Sequence, residues 1–236
     1  MNELKILYTD DHITVCVKPP LMLSQENSNG SNDMLCALYE QTNEKHKPAH
    51  RLDFGVGGVM VYAKTDKASS VLCESIRNNS FEKEYLAVVW GKPENERGIY
   101  EDLLFKDSSK NKSYVVNRMR KGVKHARLEY KTLDTKCFKD NKLSLILIKL
   151  HTGRTHQIRV QFASRKTALY GDGKYGSRIT DKKIALWSYR ICFTHPITKK
   201  QMIFSCLPDR IEPWNLFDVL KSEQLKDIQT TYMQNT

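Results

Sequence analysis

Apolar and polar positions alternate over residues 4–9 and again over 13–17, on either side of Asp10-Asp11. That period predicts a short β-hairpin, closed by Lys18-Pro19-Pro20. Residues 24–32 are rich in Ser, Gln, Asn and Gly and read as loop. Met34, Leu35 and Leu38 make 33–41 a short helix, and the apolar run Val59 to Ala63 a strand. Thr65 or Asp66 then caps a helix that gathers Ala68, Val71, Leu72 and Ile76 on one face. Phe81 to Trp90 reads as a strand and Gly91 to Gly98 as a turn. Further strands are predicted over 112–116, 126–133, 143–150, 184–193 and 201–206. Pro213 opens a helix with Leu216, Phe217 and Leu220 as its apolar face.

Strands outnumber helices, and hairpin-like turns recur at 93–98 and 194–200. The expected fold class is α+β, on a largely antiparallel sheet. No repeat and no strong boundary interrupts the pattern. Residues 1–220 are expected to form a single domain and 221–236 a polar tail.

Composition narrows the class. No apolar run in the 236 residues approaches the ~18–20 that a membrane helix needs. Met1-Asn2-Glu3-Leu4-Lys5 has no signal-peptide pattern. Cysteines 16, 36, 73, 137, 192 and 206 are scattered without zinc-type or disulfide-framework spacing, so buried or partly buried thiols in a reducing cytoplasm are expected. The net charge of +11 suits a polyanionic partner, although a basic, unspecialised surface has the same composition. A monomer is the default.

The charge is concentrated. Between Lys106 and Arg127 lie Lys106, Lys110, Lys112, Arg118, Arg120, Lys121, Lys124 and Arg127 against one acid, Asp107. Such a run is most often a solvated face. Being nearly one-signed, it is read here as a projecting hairpin that grips phosphates.

Three segments carry chemistry. His50-Arg51-Leu52-Asp53 runs into Phe54-Gly55-Val56-Gly57-Gly58, which presents a carboxylate beside a glycine-rich turn. The ordinary role of such an Asp is to cap the turn or pair with an Arg. An arginine within reach, Arg51 or Arg154, would keep it ionised, which suits a nucleophile or electrostatic stabiliser better than a general acid. In Thr152-Gly153-Arg154-Thr155-His156-Gln157-Ile158-Arg159, Thr155 is a helix N-cap candidate, and His156 and Arg159 share one helical face. Ile158, Val160 and Phe162 also alternate, so a strand fits too, and surface pairing is an equal account of His156 and Arg159. In Phe81 to Ala87, Lys83 and Tyr85 share a strand face, where a plain sheet tyrosine is the default. No Gly-Lys-Ser/Thr phosphate loop, Gly-x-Gly-x-x-Gly or Gly-x-Ser-x-Gly occurs, and Pro48 breaks the His46/His50 pair, so no metal or nucleotide cofactor is indicated.

Together, His50-Arg51-Leu52-Asp53, Lys83-x-Tyr85-x-Ala87 and Gly153 to Arg159 resemble the RluA-type family of RNA pseudouridine synthases. Lys18-Pro19, Gly171-Asp172 with Tyr175-Gly176, and His195-Pro196 are softer matches in the same order. The resemblance implies a long, bent, mainly antiparallel mixed sheet flanked by helices, with a central active-site cleft. It implies cofactor-free conversion of uridine to pseudouridine in structured RNA, ribosomal or transfer RNA, by base flipping. It assigns Asp53 as the essential aspartate, Tyr85 as the active-site tyrosine, Arg154 as the arginine paired with Asp53, and Arg51 as a holder of the flipped nucleotide. His50, Lys83, His156, Arg159 and the basic residues Lys110, Lys112, Arg118, Arg120, Lys121 and Lys124 are the expected RNA contacts. Some relatives carry a small RNA-binding domain before the catalytic one, and this chain is expected to lack it.

Three departures are visible. Val56-Gly57-Gly58 stands where Thr-Ser-Gly is common, Pro20-Leu21 where a small residue and Gly are usual, and Leu186-Trp187-Ser188 where Leu-His-Ala is the pattern. The alternative function is a catalytically silent RNA-binding or RNA-folding protein on the same scaffold.

Overall fold

The computed structural model describes residues 3–26, 33–177, 179 and 183–221. All but the first residue of the tail read over 221–236, and much of the 24–32 loop, lie outside them. The chain runs β1 (Ile6–Thr9), β2 (Ile13–Lys18), α1 (Met34–Thr42), β3 (Lys47–Pro48), β4 (Gly57–Ala63), α2 (Asp66–Arg77) and β5 (Glu82–Trp90). It continues through β6 (Arg97–Asp107), β7 (Lys112–Val116), β8 (Val123–Phe138), β9 (Asn141–Leu150), α3 (Gln157–Ser164), β10 (Leu186–Thr194) and β11 (Gln201–Ser205). The strands form one mixed sheet in the order β1-β2-β4-β10-β5-β9-β8-β6-β7, with β11 on β10 and β3 on β4. Every pairing is antiparallel except β4 with β10.

Local chemistry accounts for the ends of the helices. Asp33 accepts the Leu35 and Cys36 N–H groups to start α1, and Thr65 accepts from Ala68 to start α2. The strand β6 departs from expectation, since its first residues read as a turn in the sequence. Its inward face runs Tyr100-x-Asp102-x-Leu104, and the charge in the middle hides the alternation. That charge is satisfied internally, because Asp102 takes both Arg165 terminal nitrogens at 2.9 and 3.1 Å and the Gln161 amide at 2.7 Å.

The helix expected after Pro213 is two 3-10 turns, Trp214–Leu216 and Asp218–Lys221. Trp214, Phe217 and Leu220 are the buried residues there, at the spacing of three that a 3-10 turn brings into line. Cys36 and Cys137 are exposed, against the expectation of buried or partly buried thiols. Among the described residues no helix is long and apolar enough to cross a membrane.

The sheet positions the site through one close approach. Where β4 meets β10 in parallel, Trp187 lies opposite Gly57 and Ser188 opposite Gly58. A Cβ on Gly57 would overlap the Trp187 ring and come within 2.9 Å of Pro20 Cδ. A Cβ on Gly58, at φ +121°, would overlap the Ser188 backbone. Two of the sequence departures are therefore one packing feature, in which Trp187 fills the space that Gly57 vacates.

Candidate active site

Asp53 sits on the turn that enters β4, and the segment after β2 clamps that turn. Ser24 both accepts the Leu52 N–H and donates to the Leu52 carbonyl, each at 3.0 Å. The Leu21 N–H donates to the Phe54 carbonyl at 2.8 Å, and the Val56 N–H to the Asp53 carbonyl at 3.0 Å. Lys18 is fully buried, and its ammonium donates to the carbonyls of Pro19 (3.0 Å), Met22 (2.7 Å) and Phe54 (3.4 Å). Burial pushes the Lys18 pKa down to about 8, with the Asp53 charge working in the other direction. The Lys18-Pro19 element is thus a brace for the aspartate turn.

The Asp53 side chain keeps 29 % of its surface exposed. Its Oδ2 accepts from Arg159 Nη1 at 3.0 Å and lies 3.8 Å from His156 Nε2. Among the described residues, Oδ1 has no hydrogen-bond partner. The remaining arms of Arg159 are taken by Asp172, Nε to Oδ2 at 2.6 Å and Nη2 to Oδ1 at 2.8 Å. Burial opposes the guanidinium's charge, but the Asp172 and Asp53 carboxylates outweigh it and raise the Arg159 pKa. The Tyr175 ring centroid lies 5.1 Å from the Arg159 guanidinium carbon, closing the other side.

This corrects the expected pairing. Arg154 does not reach Asp53; its Nε donates to the His125 carbonyl at 2.7 Å, which fastens the 152–156 loop to β8. Nor does Thr155 cap α3. His156 occupies the N-cap position with φ +54° and makes no side-chain cap bond. Gln157 organises the loop instead: its Oε1 accepts from Thr152 Oγ1 and the Arg154 N–H, and its Nε2 donates to the Arg127 carbonyl. The first turn of α3 can then aim His156 and Arg159 at one carboxylate oxygen, as their shared helical face implied.

Tyr85 is buried on β5, in the same cluster as Leu52, Val56 and Ile158. Burial first, then the Asp53 charge, raises its hydroxyl pKa above the ordinary phenol value, so at neutral pH it is uncharged. His156 is lowered, chiefly by burial. Its Nδ1 lies 3.0 Å from Tyr175 Oη, which also accepts the Ser113 N–H at 2.8 Å.

Arg51 is exposed, with no partner among the described residues, as an RNA contact would require. Lys83 is buried beside the Gly153 loop, and burial lowers its pKa. His50 does not suit the expected RNA contact. Its Nδ1 is sealed from solvent, its Nε2 accepts the Val61 N–H at 3.4 Å, and its ring packs 5.5 Å from that of Phe81. Burial, with a smaller contribution from Lys83, pushes its pKa down to about 3, so it is a neutral packing residue.

The basic segment is not a free-standing finger. It is the β6-β7 edge of the sheet and the start of β8, docked on α3 through Leu104, Ala126, Val160 and Tyr175. Ser113 ties it to the site by donating to the Thr155 carbonyl at 2.6 Å. Lys110, Arg118, Arg120, Lys121 and Lys124 are exposed, and the half-buried Lys112 extends its ammonium to 5.1 Å from the Tyr175 ring centroid. The cationic edge is thereby continuous with the residues around Asp53.

A braced, half-open carboxylate beside a cationic sheet edge suits chemistry on a polyanion. A family model described as RNA pseudouridylate synthase matches residues 12–164, and the chain belongs to that family. Within it the chain is an RluA-type RNA pseudouridine synthase, an isomerase. It is 30 % identical over 210 residues to an uncharacterised RNA pseudouridine synthase, YhcT, of Bacillus subtilis, covering 86 % of this chain and 68 % of that one. It is 29 % identical over 215 residues to the dual-specificity RNA pseudouridine synthase RluA of Escherichia coli, covering 87 % and 94 %. The fold matches human RNA pseudouridylate synthase domain containing 1 with a TM-score of 0.77 at 20 % identity, over 99 % of this chain and 95 % of that one.

Asp172, Tyr175, Gln157 and Lys18 are site residues that residue-by-residue reading did not assign. The Gly171-Asp172, Tyr175-Gly176 and Lys18-Pro19 elements of the resemblance were the signal that could have found the first, second and fourth.

Proposed function

We propose that this protein isomerises specific uridines in structured RNA, ribosomal or transfer, with Asp53 as the catalytic group and without a cofactor. The observation that carries this reading is the half-open Asp53 carboxylate. One oxygen is held by Arg159 while the other has no partner among the described residues. The reaction breaks the C1′–N1 bond, turns the uracil, forms C1′–C5, and moves the C5 proton to solvent as N1 regains one. Extruding the base costs a few kcal/mol of stacking. Tyr85, uncharged and close enough for the Asp53 charge to act on it, takes up the base in this reading. Asp53 serves either direct addition at C1′ or departure of the uracil through a glycal. Arg159 is the positioning residue for Asp53, Arg51 holds the extruded nucleotide, and Lys110 to Lys124 bind the backbone.

Carbodiimide mapping of total RNA from cells with and without the protein tests this. Sites of modification are expected to vanish without it and to return with wild type but not with Asp53→Asn. In vitro, the same variant is expected to bind RNA and release no tritium from 5-tritiated uridine. Full turnover by Asp53→Asn would overturn the reading.

A further inference from the structure

The sheet edge that carries the cationic run has two faces. Leu104, Val115 and Ala126 turn toward α3 and pack with Val160 and Tyr175. Side chains alternate along a strand, so Phe105 and Tyr114 turn the other way. Among the described residues these two rings join no apolar core. They stand directly opposite each other on β6 and β7, which brings their Cβ atoms to about 5 Å. Phe105 is half-buried and Tyr114 is 36 % exposed. Cations frame the pair. The Arg120 guanidinium carbon lies 4.9 Å from the Phe105 ring centroid, and the Lys112 ammonium 5.8 Å from that of Tyr114. The turn that places Arg120 is closed by the Val123 N–H, which donates to the Arg120 carbonyl at 3.0 Å, with Gly122 at φ +85°. The one acid of this stretch, Asp107, is taken up by its own turn, where Oδ1 accepts from the Ser109 N–H and hydroxyl and from the Lys110 N–H.

The chemistry selects the occupant. Lys110, Arg118 and Lys121 are exposed around these rings, and an apolar protein patch seated there would bury their charge unpaired. Flat π faces joined by an anionic backbone match both the rings and the cations. Duplex RNA hides its base faces in the stack, whereas an unpaired strand offers them. The path to the active site is short: β7 ends the sheet, and the Lys112 ammonium also lies 5.1 Å from the centroid of Tyr175, the ring packed on Arg159. We propose that the outer face of β6 and β7 binds unpaired bases of the RNA whose uridine enters the Asp53 site, one base stacking on Tyr114 and a neighbour on the Arg120 guanidinium over Phe105. This assignment rests on the proposed function and adds a substrate class: the target uridine adjoins a single-stranded segment.

The test uses two probes, a single-stranded oligouridylate of about ten nucleotides and a strand of the same length and backbone without bases. Affinity is read by fluorescence anisotropy over a range of salt. Wild-type protein is expected to prefer the oligouridylate. Tyr114→Ala is expected to lose about tenfold of that affinity while binding of the abasic strand and the salt slope are unchanged. Retained binding of the abasic strand also shows that the variant is folded. Tyr114→Phe keeps the ring and is expected to bind as wild type does. Arg120→Lys keeps the charge but not the plane, and is expected to weaken the oligouridylate alone, by about threefold or more. Wild-type affinity in Tyr114→Ala overturns the platform, as does an equal loss with both probes. Wild-type protein that releases no tritium from RNA carrying 5-tritiated uridine overturns the proposed function instead. Anisotropy does not depend on turnover, so the two failures are separate results.

Discussion

Arg159 reaches Asp53 with one nitrogen, 3.0 Å from Oδ2, while Asp172 holds its other two at 2.6 and 2.8 Å. One guanidinium therefore sets the position of the half-open carboxylate from a fully buried one. Only a planar fork with several donors can serve both acids, since an ammonium is a single point.

Arg159→Lys is accordingly expected to lower single-turnover tritium release about a hundredfold or more, because Asp53 loses its fixed position. Arg159→Met leaves Asp172 buried without its partner, a loss of about 3–5 kcal/mol by urea unfolding. Arg154→Ala removes one hydrogen bond to the His125 carbonyl and is expected to cost about 1 kcal/mol, with release within a few-fold of wild type. Equal loss of release in Arg154→Ala and Arg159→Lys would contradict the geometry.

Gly57 and Trp187 should behave as a coupled pair. Gly57→Ala places a methyl in the Trp187 ring and is expected to destabilise by about 1–3 kcal/mol. In a Trp187→Leu background the same substitution is expected to cost clearly less, a coupling of at least about 0.5 kcal/mol in a double-mutant cycle. Additive losses in urea unfolding would mean that the strand approach does not depend on the ring.

Three histidines make stability depend on acid. His50 is pushed down to about 3, and His46 and His156 are lowered, in each case chiefly by burial. A histidine kept neutral in the fold but free to protonate when unfolded contributes fully above the unfolded value of about 6.5. As pH falls below that point the unfolded state binds the proton and stability drops until the folded pKa is reached. For His50 alone, the fall from pH 6.5 to 5 is about 2 kcal/mol. Urea midpoints measured between pH 7 and 5 are expected to decline, and less steeply in His50→Asn. A flat profile would show that His50 protonates freely in the folded protein.

The cationic edge should govern affinity without governing chemistry. Reversing charge at the exposed Lys110, Arg118 and Lys121 is expected to weaken RNA binding and flatten its salt dependence, by about 0.7–0.9 in log–log slope for each phosphate left unneutralised. Single-turnover release at saturating enzyme should stay within a few-fold of wild type. An unchanged slope would remove this edge from the RNA interface.

Residue order alone determined most of the strands, the cap of α2, the aspartate turn and the run of basic residues. Each is a matter of neighbours or of a short period: alternation marks β1 and β2, and Thr65 caps α2 from one residue away. The family motifs placed Asp53, Tyr85 and the 153–159 loop together. Tertiary structure decided what local patterns do not encode. β6 was masked because its inward Asp102 is neutralised by Arg165 and Gln161, about sixty positions along the chain. The choice between Arg154 and Arg159 as the partner of Asp53 depended on where α3 begins, and Gln157 settles that by bonding across to β8. The partners Asp53 and Arg159 are 106 positions apart, and only the packing of α3 against the sheet brings them together. Hydrophobic period specifies which face of an element turns inward; which charge meets which carboxylate there depends on how the elements dock.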